Sequence, residues 1–399
     1  MVLSTDDGFN GFDGSIGSGA SSANAEHMLQ EIYQQPRVLQ DALSGRFDTQ
    51  ARRLEFDELR AGGLSLAGLK RIYILACGTS YHAGLIAKAF FEQTSDLLVE
   101  VCIASEFELP QALQSGAFAQ GGLRPEEALF VAISQSGQTS DTLAAVRQAK
   151  LSGAYVIAIT NVEASPLTQV ADASVYVRAD TEQAVPATKS FMAQICLLSL
   201  LAYYIGQERG QVTTEQVEAY YQAMNDLPDK IGQVLDPASL TAIQGAAAVL
   251  STAKDVLFIG RGIDVATAYE GALKLKETSY IHAEAFAALE FRHGPISLID
   301  PVAATPVLAL LPADAPADPI YAVLADCRKY GARLVAIAVD GDEHVSQLAD
   351  AVVYLPPVGR LLTPFVNVVA LQLLAYNVAK SLGRDVDNPR YLSKAVTVD

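Results

Sequence analysis

The stretch "ISQSGQTSD" at 133–141 sets Ser134, Ser136 and Thr139 directly after an apolar run and directly before a helical pattern. Hydroxyls joined by the free amides of a helix start can hold a phosphate without any lysine. Gly137 would let the backbone come close to such a ligand. The same residues also fit a plainer role, with Thr139, Ser140 or Asp141 capping the helix and the serines shaping a turn. "CGTS" at 77–80 again lies between a strand pattern and a helix pattern. It adds Thr79 and Ser80 at a neighbouring strand end and favours the ligand reading. A second cluster lies far along the chain, in "AYEGALKLKETSY" at 268–280. Lys274 and Glu277 are spaced i, i+3 and share one helix face. A carboxylate there can carry a proton between adjacent carbons while an ammonium favours a developing oxyanion. A surface ion pair is the alternative.

These groups need a frame to position them. "RIYILACG", "LLVEVCIAS", "ALFVAI" and "AYVIAIT" read as strands, separated by helical patterns such as "SYHAGLIAKAFFEQTS" and "DTLAAVRQAKLSG". That alternation predicts an α/β protein, a parallel sheet with helices on both faces. The pattern then repeats. "YILACGTSYHAG" at 73–84 matches "LFIGRGIDVATA" at 257–268, and "SGAYVIAIT" at 152–160 matches "YGARLVAIA" at 330–338. Gly153 to Ala171 and Gly331 to Ala349 are both 18 positions apart. Matched pieces in matched order predict two copies of one α/β domain. The hydroxyl-rich loop occurs in the first copy alone; the second has "ALLPADAPADP" in its place.

The predicted layout is a flexible, Gly/Ser/Asp-rich tail at 1–25, a helical lead-in at 26–60 starting near His27 and interrupted at Pro36, and a first domain at 61–206. A helical connector at 207–240, a second domain at 241–384 and a C-terminal tail at 385–399 follow. The 399 residues are 50% hydrophobic and 18% charged, with a net charge of −17. That balance supports large cores and argues against nucleic acid as a partner. No run of eighteen uninterrupted apolar residues or basic–apolar leader stands out, so no membrane span or signal peptide is expected, and the location expected is cytoplasmic. Cys77, Cys102, Cys196 and Cys327 form no CxxC pair and sit in apolar surroundings, which predicts buried, reduced thiols. No metal site or cofactor is expected.

"ACGTSYHAG", "SQSGQTSDTL", "EGALKLKETSYIHAEAF", "RHGPISLID" and "NPRYLSKAVTVD" together resemble the isomerase half of the glucosamine-6-phosphate synthase family, from roughly His27 to Asp399. The resemblance implies two tandem sugar-isomerase (SIS) domains, each a flavodoxin-like three-layer sandwich. It implies a sugar-phosphate substrate and interconversion of fructose 6-phosphate and glucosamine 6-phosphate. It carries the phosphate contacts onto Ser134, Gln135, Ser136 and Thr139, sets Thr79 and Ser80 facing the sugar or phosphate, and places Glu182 and Val185 along the substrate. Glu277 becomes the proton-moving base beside Lys274. His293 becomes the ring-opening histidine, reaching the active site of an adjacent subunit, which implies a homodimer. Lys394 becomes the lysine that meets the open-chain sugar.

Some positions depart from the family pattern. Gln138 stands where a glutamate is common, Pro186 and Ala187 replace Ala and Ser, and "LEFRHG" replaces "GELKHG". The roughly 25 residues ahead of the resemblance leave no room for a glutaminase domain. The expectation is therefore a stand-alone isomerase or deaminase of amino-sugar phosphates. The alternatives are an isolated isomerase half served by a separate glutaminase, and a sugar-phosphate sensor without catalysis.

Overall fold

The computed structural model describes residues 26–61, 64–114, 122–312 and 318–397; the tail predicted at 1–25 lies outside them. The lead-in begins with α1 (His27–Tyr33) and α2 (Gln35–Leu43), with Pro36 in the first turn of α2, where its missing N–H costs nothing. An antiparallel hairpin, β1 (Phe47–Asp48) and β2 (Arg53–Leu54), and the short α3 (Asp57–Ala61) complete it, so the lead-in is not wholly helical.

Five strands follow, β3 (Arg71–Ala76), β4 (Leu98–Ile103), β5 (Ala128–Ile133), β6 (Tyr155–Thr160) and β7 (Ala173–Tyr176), all parallel in the order β4-β3-β5-β6-β7. Every residue of β5 is buried, because helices cover both faces. Those helices are α4 (Gly78–Thr94), α5 (Ser140–Leu151), the short α6 (Pro166–Val170) and α7 (Lys189–Glu208). Two further helices, α8 (Thr214–Val234) and α9 (Pro237–Leu250), lead to the second half. Thr213 and Gln216 form a capping box at the start of α8, and Asp236 caps α9.

The second sheet repeats the first. Its strands are β8 (Asp255–Gly260), β9 (His282–Ala287), β10 (Pro306–Leu310), β11 (Arg333–Val339) and β12 (Ala351–Leu355), in the order β9-β8-β10-β11-β12. Counted within each half, both orders read 2-1-3-4-5, the flavodoxin-like winding. Its helices are α10 (Asp264–Ser279), α11 (Ile320–Lys329) and α12 (Thr363–Ser381). Gly271 on α10 allows close packing: a Cβ there would stand 2.9 Å from Leu371 of α12.

Among the described residues, three apolar cores result. One continuous cluster runs from the lead-in through α4, α7, α9, α10 and α12 and takes one face of each sheet; each sheet's other face has a core of its own. Two helical stretches, Lys189–Glu208 and Arg360–Ser381, are long and apolar enough to cross a membrane, and both are mostly buried inside this protein. Their apolar length serves the shared core. All four cysteines are free; Cys196 and Cys327 are buried as expected, while Cys77 and Cys102 are only half-buried.

Candidate active site

A cavity of about 290 Å³ opens at the carboxyl ends of β3 and β5. These neighbours send their chains to opposite faces of the sheet, which leaves a crevice between them. The turn after β3 supplies Thr79 and Ser80, and the loop after β5 supplies Ser134, Gln135, Ser136 and Thr139. Glu182 and Val185 come from the segment before α7, Lys274 and Glu277 from α10 of the second domain, and Lys394 from the tail. His293 is the exception: it is exposed, its N–H bonds the Glu290 carbonyl, and it does not line this cavity.

The hydroxyl loop shapes a turn, as the plainer reading of its serines expected. Ser134 Oγ accepts the Gly137 N–H (3.1 Å) and lies 3.0 Å from Thr139 Oγ1; Ser136 Oγ accepts the Gln138 N–H (3.2 Å). Those contacts shape a turn. Thr139 is the N-cap of α5, yet its side chain makes no capping bond. Among the described residues, the amides of Ser136 and Thr139 and the hydroxyl of Ser80 donate to no protein group. Their residues line the cavity, and donors left open at the positive end of α5 suit an anion. The Ser140 amide is taken by the tail, through the Val396 carbonyl at 3.1 Å.

Across the cavity lies a buried charge cluster. Lys274 is completely buried, and its Nζ sits 2.6 Å from Glu277 Oε2, 3.4 Å from Glu270 Oε1 and 3.0 Å from Thr79 Oγ1. Burial alone would strip its proton; the Glu277 and Glu270 carboxylates hold its pKa above the usual lysine range. Burial likewise opposes a charge on Glu270, but Lys274, His82 and Thr79 keep its carboxyl below the usual value. The pair at 274 and 277 is thus not a solvated surface ion pair. The Thr79 hydroxyl donates to Glu270 (3.1 Å), so its hydrogen is committed to the protein rather than offered to a ligand.

The tail closes the third wall. Lys394 Nζ donates to Glu182 Oε2 (2.5 Å) and to the Ala184 carbonyl (2.6 Å). Glu182 is buried; it also accepts the Thr188 and Ser190 amides and the Ser190 hydroxyl. Its burial raises the cost of charge, yet Lys394 and these donors hold its pKa below the usual range. Behind it stands Glu31 of α1, which accepts the Gln183 amide and leaves its second oxygen buried without a partner. Burial pushes Glu31 up to about 7.

Glu270, His82 and Glu31 were not singled out from the sequence. Glu270 had a readable signal, since it lies i, i+4 from Lys274 on the helix that carries Glu277. His82 and Glu31 had none, because their partners are 188 and 152 positions away. The corresponding strand ends of the second domain carry contacts of their own among the described residues. Arg261 pairs with Asp318, and the buried Asp264 carboxylate is held by Thr363 (3.0 Å) and Asn367 (2.9 Å).

The SIS domain family matches residues 65–204 and 249–381. Glutamine–fructose-6-phosphate aminotransferase (isomerizing) from Symbiobacterium thermophilum is 41% identical over 375 residues, 94% of this chain and 59% of that protein. A Thermus thermophilus protein of the same name is 40% identical over 379 residues, with the same coverage. This chain therefore spans well under two-thirds of these relatives' length. The C-terminal domain of glucosamine-fructose-6-phosphate aminotransferase from Francisella tularensis superposes with a TM-score of 0.81 and 32% identity, covering 93% of this chain and all of that one. With its two matched domains, its doubly wound sheets and its full-length agreement with that C-terminal domain, the chain belongs to the SIS domain family, on the branch of the aminotransferases' isomerase half.

Proposed function

We propose that this chain isomerises hexose 6-phosphates and forms or breaks the amino-sugar phosphate, interconverting fructose 6-phosphate and glucosamine 6-phosphate with ammonia as the nitrogen partner. One observation carries the reading: a single cavity joins the open donors of the Ser134–Thr139 loop to the Lys274–Glu277 pair of the other domain. The loop and the start of α5 would grip the phosphate. Glu277 would take the proton from one of the two carbons C1 and C2 and return it to the other, while Lys274 balances the charge on the enediol oxygen. Lys394 would attack the open-chain carbonyl as an amine, which requires it to lose a proton and leave Glu182. A homodimer would bring His293 to the neighbouring cavity for ring opening.

Identity of 41% over 59% of an aminotransferase's length favours the isomerase-half reading. Glucosamine-6-phosphate deaminase from Thermotoga maritima, at 22% identity, shares the fold alone. A mere sensor would have no use for a buried ammonium held between two carboxylates.

The test is direct. Purified protein should convert fructose 6-phosphate to glucose 6-phosphate and release ammonia from glucosamine 6-phosphate. Glu277→Gln should lower turnover by about 10²–10⁴-fold while leaving sugar-phosphate affinity nearly unchanged. Inactivity on all three sugars, or full activity in the variant, would sink the reading.

A further inference from the structure

We propose that His82 is a positioning residue for this reaction: by engaging Glu270 it keeps the Lys274 ammonium on Glu277. The inference rests on the isomerase reading above. His82 lies on α4 of the first domain, two residues beyond Ser80, and Glu270 on α10 of the second. Its Nδ1 is 2.7 Å from Glu270 Oε2. Glu270 is charged, so that nitrogen carries the hydrogen of the bond. The ring is held between Tyr81 and Tyr269, each with a centroid 6.0 Å away.

Two carboxylates compete for one buried ammonium. Glu277, on the cavity side, holds Lys274 at 2.6 Å; Glu270, fully buried behind it, stands off at 3.4 Å. The difference follows from what else Glu270 is given. Oε2 receives His82 and Oε1 receives the Thr79 hydroxyl, so most of its capacity is met without the lysine. Without the His82 N–H, Oε2 becomes a desolvated carboxylate oxygen with no donor, which is costly. The nearest source of positive charge is Lys274. Its ammonium then shifts toward Glu270 and away from the base it serves, and Thr79, which bonds both, turns with it. The contact also ties the domain that holds the phosphate loop to the domain that holds the base, so it sets the distance over which the sugar must reach.

Three variants separate this role from simple packing. His82→Leu keeps the bulk and removes the donor; His82→Asn places an amide nitrogen where Nδ1 stood; His82→Gln carries its donor one bond too far. For fructose 6-phosphate isomerisation, His82→Leu should lower kcat about tenfold or more with KM changed less than about threefold, the signature of an interaction strengthened in the transition state. His82→Asn should regain most of the loss and His82→Gln less. If His82→Leu fails to fold, as a melting curve would show, the ranking of Asn over Gln carries the test. Wild-type inactivity on every sugar phosphate would overturn the isomerase reading and this role with it. An active wild type with unchanged kcat in His82→Leu, a loss through KM alone, or no advantage of Asn would overturn the positioning role alone.

Discussion

Gly137 sits at φ +63° with the Ser165 hydroxyl pressed against the place where a Cβ would stand. An alanine there must adopt a left-handed backbone, at about 1–2 kcal/mol, and also displace Ser165. Gly137→Ala should lower the melting temperature and weaken sugar-phosphate binding together, because the strained turn is the one whose amides face the cavity. A variant with unchanged ligand affinity would show that the loop does not hold the phosphate. Glu31 gives a pH signature. Burial raises its pKa from an ordinary 4.5 to about 7, so between those values the folded protein keeps a proton that the unfolded chain has lost. Its stabilising contribution is full below about 4.5 and disappears as pH rises through 7. Asp264, raised by burial from 3.8 to about 7, acts in the same sense. Melting temperatures from about pH 5 to 8.5 should fall less steeply for Glu31→Gln than for wild type; parallel curves would refute the assignment. At this scale the sequence was readable wherever chemistry was local. Ser134, Ser136 and Thr139 stood out by neighbours within one loop, whereas the Lys274–Glu277 spacing alone fitted a surface ion pair and took its meaning from the family resemblance. Glu31 did not stand out, since a glutamate on an amphipathic helix looks solvated until Gln183 and Glu182 fold over it.

Among the elements, the tail is the one whose secondary structure says least and whose contacts say most. Asp387 accepts the first amides of α1, His27 at 3.0 Å and Met28 at 2.8 Å, while its carbonyl takes the Val185 amide. Tyr280, the left-handed C-cap of α10, accepts the Arg390 amide through its hydroxyl and lies beneath the Arg390 guanidinium, 4.1 Å from the ring centroid. Beyond this clamp, Lys394 and Val396 reach the cavity. Removing residues 392–399 should therefore abolish turnover and leave phosphate affinity almost intact, with a lowered melting temperature as buried Glu182 loses Lys394. Unchanged turnover would show that the tail takes no part in the reaction. Strands and helices were legible from period and punctuation, down to the break at Pro36. The hairpin within the lead-in was not, because strands two residues long leave no periodic signal.

The molecule as a whole is two copies of one winding, yet its largest apolar cluster belongs to both. Leu371 and Phe258 of the second copy and Phe90 and Ile74 of the first lie in the same cluster. Calorimetry should show one unfolding transition, with Leu371→Ala destabilising it as a unit by about 2–5 kcal/mol, the usual cost of truncating a buried leucine. Two resolved transitions would show that the halves are independent. The repeat was written in the sequence as matched strings; the fusion of the two cores was not, because α4, α7, α10 and α12 are apolar enough to serve either a single domain or a pair. The copies differ where the first has its hydroxyl loop; at the corresponding helix start of the second, the buried Asp264 carboxylate is bonded by Thr363 and Asn367. The grip of Asp387 on α1 has a mechanical corollary. The first turn of α1 and the root of the segment bearing Lys394 share one anchor, so loosening Asp387 frees the lead-in and the third wall of the cavity together.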